Sequence, residues 1–356
     1  GLGEYVTVLE RTLDELYDPH THLKTNTPRS TRLIPSGLDV WAEWREGKAV
    51  ITQLRPGFSA EQAGLRPGMR LLSVGGLPVE EAVRHRLGAC VPKDDPGARG
   101  WALLALLAGT HDTPRLLEVE GPAGRPQRFE LDRPGHLRVG AAPPGPRVAS
   151  RRLDGAIGYV QVRDLGSDET VPLFDAALHA LRDTRALILD LRDIPGGGNT
   201  SVAEPILGRF VESTRDYQRI LPRGGEPWAR TVSPRGPVYR APLVVLVGRW
   251  TASMAEGMAI GLDGMGRATI VGTRMAGLNG AVFDLELPST GIPVSYAAEK
   301  LTHLDGTPRE EFVPPVLVNL LDREVAGLSD PILEAGLRTA RRLADKSKLV
   351  PGRVEK

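Results

Sequence analysis

The chain has 356 residues, with 45 Lys plus Arg against 44 Asp plus Glu and a formal net charge of +1. That balance excludes the basic bias of a nucleic-acid binder or a polybasic membrane-surface protein. With 41% hydrophobic and 25% charged residues, the composition is that of a soluble chain able to bury a sizeable core, and its length predicts two or three domains.

Only seven of the basic residues are lysines, at positions 24, 48, 93, 300, 346, 348 and 356, and the other 38 are arginines. With 41 Gly and 30 Pro, this is the bias of a GC-rich genome. It also restricts the chemistry, because no lysine between Lys93 and Lys300 can serve as a general base. A lone Cys90 forms no internal disulfide. Apolar runs such as Ala241 to Val247 fall far short of the ~20 residues that span a bilayer, so no stable membrane insertion is expected. No signal peptide is read at the start. The first residue is Gly1 rather than Met, which is compatible with a targeting or anchor segment removed earlier.

Val8, Leu9, Leu13, Leu16 and Tyr17 stand at helical spacing and predict an amphipathic helix over Tyr5–Tyr17, ended by Asp18-Pro19-His20-Thr21-His22. From Gly37 the pattern changes to short strands: GLDVWAEW, KAVITQL and MRLLSV, with a short helix at SAEQAGL and turns at Arg55-Pro56-Gly57 and Arg66-Pro67-Gly68. A long insertion, Val83 to His111, precedes two more strands, RLLEVEG and RFELDR. Pro134 to Pro146 holds four prolines in thirteen residues and reads as a linker. Beyond it strand and helix alternate: AIGYVQV, a helix over Thr170–Arg182, ALILDLRD, a helix over Thr200–Val211, PLVVLVG, a helix over Ser253–Leu262, and RATIVG. This alternation argues an α/β core with a largely parallel sheet. A last amphipathic helix is predicted over Pro331–Ala344, with Asp330 as N-cap.

Two stretches carry the chemistry. In PLVVLVGRWTASMAEGMAIGL, Pro242 to Leu262, a buried strand leads through a turn of small residues to Ser253 at the start of a helix. A hydroxyl there lies at the carboxyl edge of the sheet, beside a helix end that favours developing negative charge. The competing reading is a helix cap. The GxSxG elbow of ordinary α/β-hydrolases is missing. In ALILDLRDIPGGGN, Ala186 to Asn199, three glycines after a buried strand let the backbone approach a ligand and offer amides to an oxyanion or phosphate. The bland alternative is a Gly-rich turn. Neither a phosphate loop with its Gly-Lys-Ser/Thr nor a dinucleotide GxGxxG is present, and no cofactor is expected.

Together these stretches resemble the tail-specific, or C-terminal processing, serine protease family. Its LILDLRxNPGG matches Leu187 to Gly197, with Ile194 in place of the usual Asn, and its RxTASxAE matches Arg249 to Glu256 with the nucleophile at Ser253. GRATIVG, IGYV at Ile157 to Val160, and DPHTHL at Asp18 to Leu23 follow the family's order. Gly37 to Arg133 resembles its PDZ domain, including the run from Pro56 to Gly76. The resemblance implies an α/β fold with a crotonase-like (ClpP/crotonase-type) protease core, an N-terminal helical segment and a PDZ-like β-rich domain. The implied division is 1–36, 37–133, a linker at 134–150, the core at 151–325, and a C-terminal helix and tail at 326–356.

Many members use a Ser-Lys dyad, with the lysine soon after GRATIVG. Here Leu278 occupies that position, and a leucine cannot take a proton. The sister branch, similar to tricorn protease, uses an N-terminal histidine and a downstream glutamate. By that resemblance His20 is the general base, an imidazole being suited to neutral pH, with His22 its nearest competitor. Glu310 or Glu311 is the residue that orients the base, with Glu311 narrowly favoured. The expected oxyanion donors are the amides of Met254 and of Gly196 or Gly197. In the PDZ-like part an extended peptide would add at the sheet edge, with amides of the Ser36-Gly37-Leu38 turn, Gly37 and Leu38, holding a terminal carboxylate. Asp39 next to that turn opposes this by charge, and the Val83–His111 insertion is placed to cover the groove.

His85, His111, His136, His179 and His303 read as surface or packing residues, and no pair has metal-ligand spacing, so no metal site is expected. Glu256 reads as a structural partner of a nearby arginine, Lys300 as too far along the chain for the dyad, and Trp41 and Trp44 as strand packing. The function implied is a serine endopeptidase that acts on peptides or protein C-terminal regions through an acyl-enzyme, with an extracytoplasmic location by family habit. Two alternatives stand beside it. One is a catalytically weak relative that binds peptides through its PDZ-like domain. The other is a crotonase-like acyl-CoA enzyme, for which no nucleotide site is seen.

Overall fold

The computed structural model describes residues 1–121, 124–133, 145–325 and 327–349, and the chain divides into two compact units. The first holds Gly1–Ala142 with the returning segments Leu278–Ala298 and Leu320–Arg323, and the second holds Pro143–Gly277, Glu299–Asn319 and Glu324–Lys356. Residues 134–144 of the stretch read as a linker, His136 among them, and the tail 350–356 lie outside the described residues.

The first unit opens on α1 (Leu2–Asp14) and the short β1 (His22–Leu23). Val6 of the helix is buried with Leu23, Ile292 and Val294, and Leu9 and Leu13 flank them, as the helical spacing requires. An antiparallel sheet follows, built from β2 (Val40–Arg45), β3 (Lys48–Leu54), β4 (Arg70–Val74), β5 (Leu77–Pro78), β6 (Leu116–Glu120) and β7 (Pro126–Glu130), with α2 (Ser59–Gln62), α3 (Val79–Arg86) and α4 (Pro96–Ala108) between strands. The strand order is β2-β3-β4-β6-β7, with β5 on β4.

The insertion is largely helical, for local reasons. Asp95 accepts from the Ala98 amide at 2.7 Å as N-cap, Pro96 opens the first turn, WALLALLA fills the helix, and Gly109 ends it at φ 68°. Beneath the sheet lies a buried charge cluster. Arg115 forks onto Asp132 (2.9 and 2.8 Å) and reaches Asp39 (2.6 Å), and Arg32 reaches Asp132 (2.9 Å). Burial pushes the Asp132 carboxyl up, but the two guanidinium groups more than reverse this and hold it below the usual carboxylate range. Asp39 thus faces inward, balanced by Arg115, and its other oxygen accepts from the Ala60 amide at 2.8 Å.

The second unit alternates β8 (Val148–Leu153), β9 (Ile157–Val162), α5 (Thr170–Ala180), β10 (Ala186–Asp190), β11 (Asp193–Ile194), α6 (Thr200–Leu207), β12 (Arg215–Pro222), β13 (Trp228–Val232), β14 (Leu243–Val247), β15 (Trp250–Thr251), α7 (Met254–Gly264) and β16 (Ala268–Gly272). Then come β17 (Ala281–Glu286), β18 (Pro293–Thr302), a 3₁₀ turn at Arg309–Glu311, β19 (Val316–Leu317) and α8 (Pro331–Leu349). The central sheet runs β19-β16-β14-β10-β9-β8. Its members are parallel except for β8, which pairs antiparallel with β9, so the fold is α/β as the alternation predicts. The first half of β18 pairs with β1 and its second half with β12.

The core of this unit is aliphatic. Val160, Leu187, Leu189, Val245, Ala255 and Ile260 are fully buried within one cluster, because strands covered on both faces are apolar throughout. Asp330 caps α8 by accepting from the Leu333 amide at 3.0 Å. Among the described residues no helix is long and apolar enough to cross a membrane.

Candidate active site

The serine turn begins at the carboxyl end of β14, passes through Gly248 and β15, and reaches Ser253 at the start of α7. Ser253 adopts φ 51°, ψ −111°, a region that costs a side-chain-bearing residue on the order of 1–3 kcal/mol and persists only where its surroundings enforce it. Those surroundings can be named. The Thr251 hydroxyl accepts from the Gly248 amide and donates to the Leu191 carbonyl, both at 2.9 Å. The fully buried Glu256 carboxylate accepts from the Ser253 amide at 2.7 Å and from the Gly277 amide at 2.9 Å. Nη1 of Arg309, itself buried, donates to the Ser253 carbonyl at 3.4 Å.

A carboxylate therefore holds one side of the serine's peptide and a guanidinium the other. Burial pulls the Arg309 pKa below its ordinary value, and the Glu256 and Glu310 charges pull it back up. The arginine expected near Glu256 is Arg309. Ser253 is the N-cap residue of α7, and the Glu256 carboxylate that accepts from its amide is the N3 partner of a capping box, so the cap supplies part of the force that holds the strained backbone.

The glycine run is pinned beside this turn. β10 and β14 pair in parallel up to Asp190↔Leu246, and just beyond them β11 pairs with β15, Asp193↔Trp250 and Ile194↔Thr251. Ile194, where the family pattern has Asn, is buried in the core. Gly197 lies at φ 68°, and a Cβ added there would stand 2.5 Å from Ser253 Cβ and 3.1 Å from its Oγ. Only glycine allows both that conformation and that approach. The Gly197 amide donates back to the Ile194 carbonyl at 3.3 Å. Gly196 is exposed, with open space where a Cβ would stand. Met254 begins the helix, where amides lack intrahelical partners.

Beneath the loop, Asp190 is fully buried, accepting from the Tyr159 hydroxyl and from Arg192 Nη2, both at 2.7 Å. Arg192 continues to Asp330 at 2.7 Å and so ties the loop to the cap of α8. Burial raises the Asp190 carboxyl, but Arg192 and Tyr159 more than offset this and hold it below the usual range. The spacing of LILDLR marked a motif; what this carboxylate and arginine hold became visible only in three dimensions.

His20 belongs to the first unit. Asp18 organises its turn, accepting from the His20 amide at 3.1 Å and from the Thr21 hydroxyl at 2.7 Å. The His20 ring is buried, and its Nδ1 bonds to the main-chain carbonyl of Asn279, which returns to the same unit. Because a carbonyl only accepts, Nδ1 carries the proton, and the neutral ring then has its lone pair on Nε2. His22 spends its Nδ1 on the neighbouring Leu23 carbonyl at 3.1 Å. Leu278 is buried.

In the second unit Glu310 is half-buried and Glu311 exposed. The Glu311 carbonyl accepts from Arg274 at 3.3 Å. Lys300 is exposed on β18 opposite Leu221. His303 stacks on Phe312 with ring centroids 5.8 Å apart and lies between Asp263 and Asp305, at 3.3 and 2.9 Å. In the first unit the amides of Gly37 and Leu38 donate to the carbonyls of Leu33 (2.5 Å) and Pro35 (3.1 Å).

Residues 156–315 match the family model described as peptidase family S41. The chain is 27% identical over 364 residues to a carboxyl-terminal-processing protease of Synechocystis, covering 99% of this chain and 79% of that one. Over residues 156–315 the chain is similar to peptidase family S41. It is a serine peptidase of the carboxyl-terminal processing type. The carboxy-terminal processing protease CtpB of Bacillus subtilis is 25% identical over 274 residues, which cover 73% of this chain but only 51% of that relative. The solved structure of a photosystem II D1 C-terminal processing protease superposes with a TM-score of 0.58 at 22% identity, covering 94% of this chain and 86% of that one, so the two share a fold.

Proposed function

We propose that this serine peptidase cleaves peptides or protein C-terminal regions through an acyl-enzyme formed on Ser253. The observation that carries the assignment is the strained backbone of Ser253, held by Glu256 and Arg309 with Gly197 packed directly against it. Ser253 Oγ attacks the scissile carbonyl carbon and its proton passes to Nε2 of His20. The amides of Met254 and Gly196 receive the oxyanion. Gly196 is preferred over Gly197 because the Gly197 amide is already engaged with Ile194. Collapse of the tetrahedral intermediate expels the amine, which takes the proton from His20, and water, deprotonated by the same ring, releases the acyl group and restores the hydroxyl.

The orienting role that the resemblance gives to Glu310 or Glu311 we assign to the Asn279 carbonyl, since it holds Nδ1. Glu310 then acts through its charge on Arg309. The β-rich part of the first unit is read as PDZ-like and the protease core as crotonase-like. Both rest on the sequence motifs, as does an extracytoplasmic site of action.

Fluorophosphonate labelling with peptide mapping tests the assignment. Ser253 is expected to be the labelled residue, and Ser253→Ala and His20→Ala are expected to lose labelling. Labelling undiminished in His20→Ala removes His20 as the base, and no labelling of Ser253 returns the chain to the inactive-relative reading.

A further inference from the structure

A PDZ-like module takes an extended peptide as an added strand along a free sheet edge. In this chain that edge is β2, the terminal strand of the order β2-β3-β4-β6-β7. Helix α4, the centre of the insertion, packs against both β2 and α3. Val40, Trp41 and Ala42 are all buried; a bulge between Trp41 and Ala42 shifts the in-out alternation there, and Val40 beside Trp41 is covered as well.

The helix is fastened along its length. At its start, the Arg99 carbonyl accepts from the Trp44 indole at 3.2 Å, the Arg99 guanidinium lies 4.4 Å over the Trp44 ring, and its Nη2 reaches both oxygens of Glu80 on α3 at 3.0 and 2.8 Å. At its end, the Leu107 and Ala108 carbonyls accept from Arg115 and Arg32, each at 3.0 Å, and these are the guanidinium groups that hold Asp39 and Asp132. The cleft left between α3 and the insertion, about 260 Å³, is lined mainly by charged groups, Glu80, Arg84, Lys93, Asp94 and Arg99, and so offers no apolar seat for a terminal side chain. The turn amides of Gly37 and Leu38 are spent on Leu33 and Pro35.

We propose that α4 is a resident occupant of the peptide-binding edge, so that the PDZ-like module is closed to substrate C-termini by the chain's own helix. The proposal rests on the PDZ-like reading of this unit. Asp39 plays no part in the closure, because its charge is turned inward onto Arg115. Substrate selection then falls to the catalytic part of the chain, and the apolar terminal residues a PDZ groove favours bring no advantage.

The test uses the full chain, blocked at Ser253 by a fluorophosphonate so that added peptide is not cleaved, with label incorporation reporting a folded preparation. Fluorescent decapeptides ending in an apolar residue with a free carboxylate are titrated and followed by anisotropy. The native chain is expected to show no saturable binding up to about 1 mM, whereas a variant with residues 89–112 replaced by a Gly-Ser linker gains binding at least tenfold. Arg99→Ala, which keeps the helix but removes its guanidinium contacts with Trp44 and Glu80, is expected to speed amide exchange over residues 96–108 and to bind measurably. Micromolar binding by the native chain, with exchange over α4 unchanged, overturns the closure and leaves the PDZ-like reading standing. A labelled, folded linker variant that binds no peptide overturns the PDZ-like reading and the closure with it.

Discussion

The packing of Gly197 on Ser253, the proposed nucleophile, makes Gly197→Ala the sharpest perturbation. At φ 68° an alanine costs about 1–2 kcal/mol in backbone conformation. Its Cβ would stand 2.5 Å from Ser253 Cβ, whereas carbon atoms rest at about 3.5–4.0 Å. Ser253 is held by Glu256 and Arg309, and the glycine loop by the β11·β15 pairing, so neither partner is free to yield alone and the two must separate by roughly 1 Å. A displacement of that size at reacting atoms costs about 10²-fold in rate, and a misplaced oxyanion donor a further 10²–10³-fold.

The expected loss in kcat/KM on a fluorogenic peptide therefore runs from about 10²-fold, where only the reacting atoms are displaced, to about 10⁵-fold where the oxyanion donor is misplaced as well, matched by a similar fall in the second-order rate of fluorophosphonate labelling. The urea midpoint should change far less, because the substitution leaves the aliphatic core intact. Gly196→Ala is the control. Its Cβ would meet nothing within 4 Å and its amide is retained, so kcat/KM should stay within about threefold. A Gly197→Ala enzyme within fivefold of the native rate, with Ser253 still labelled normally, would refute the reasoning.

Other expectations follow from the same geometry. If the Asn279 carbonyl orients His20, then Glu310→Gln and Glu311→Gln each lower kcat/KM by less than about tenfold and leave the acid limb of the pH profile in place; a loss near the 10⁴-fold typical of a triad carboxylate would give the role back to a glutamate. Glu256→Gln places an amide group against main-chain N–H donors and removes one of the carboxylate charges that act on the buried Arg309, so labelling of Ser253 should slow by about 10² or more and the urea midpoint should drop. Asp190→Asn removes one partner of a buried pair and should cost about 3–5 kcal/mol in urea unfolding at pH 7. Because the folded-state pKa of Asp190 is depressed, its contribution is complete above the unfolded value of about 3.9 and is lost as pH falls through the lower folded value. The Asn variant should therefore show a shallower acid limb of stability, and an unchanged limb would place the acid sensitivity elsewhere.

Much of this was legible in the sequence, and the failures share one cause. The apolar run into Ser253 and the triple glycine after ALILD announced strands ending at one sheet edge. The strain at Ser253 was not legible, because RWTASMAE has no glycine beside the serine. The space a GxSxG elbow provides locally comes here from Gly197, more than fifty residues earlier in the chain. The hairpin β12–β13 went unread because Pro222 and Gly224 interrupt its alternation. Asp39 looked like a charge against a carboxylate, but its partner Arg115 lies across the sheet. In each case a contact distant in sequence decides what a local pattern leaves open.

The lysine count points the same way for the mechanism. On the proposed mechanism, a chain with no lysine between Lys93 and Lys300, and with Leu278 where the family resemblance puts the dyad lysine, takes its base from elsewhere. The residue after Leu278 is the one whose carbonyl holds His20. A backbone carbonyl has no letter of its own in a sequence, so a search for a third catalytic side chain settles on the nearest acidic residues, Glu310 and Glu311. It also differs physically from a carboxylate: it selects the Nδ1–H tautomer as firmly, yet adds no full negative charge to stabilise the imidazolium. An enzyme built this way should derive less of its rate from charge beside the ring and more from the preorganised serine turn.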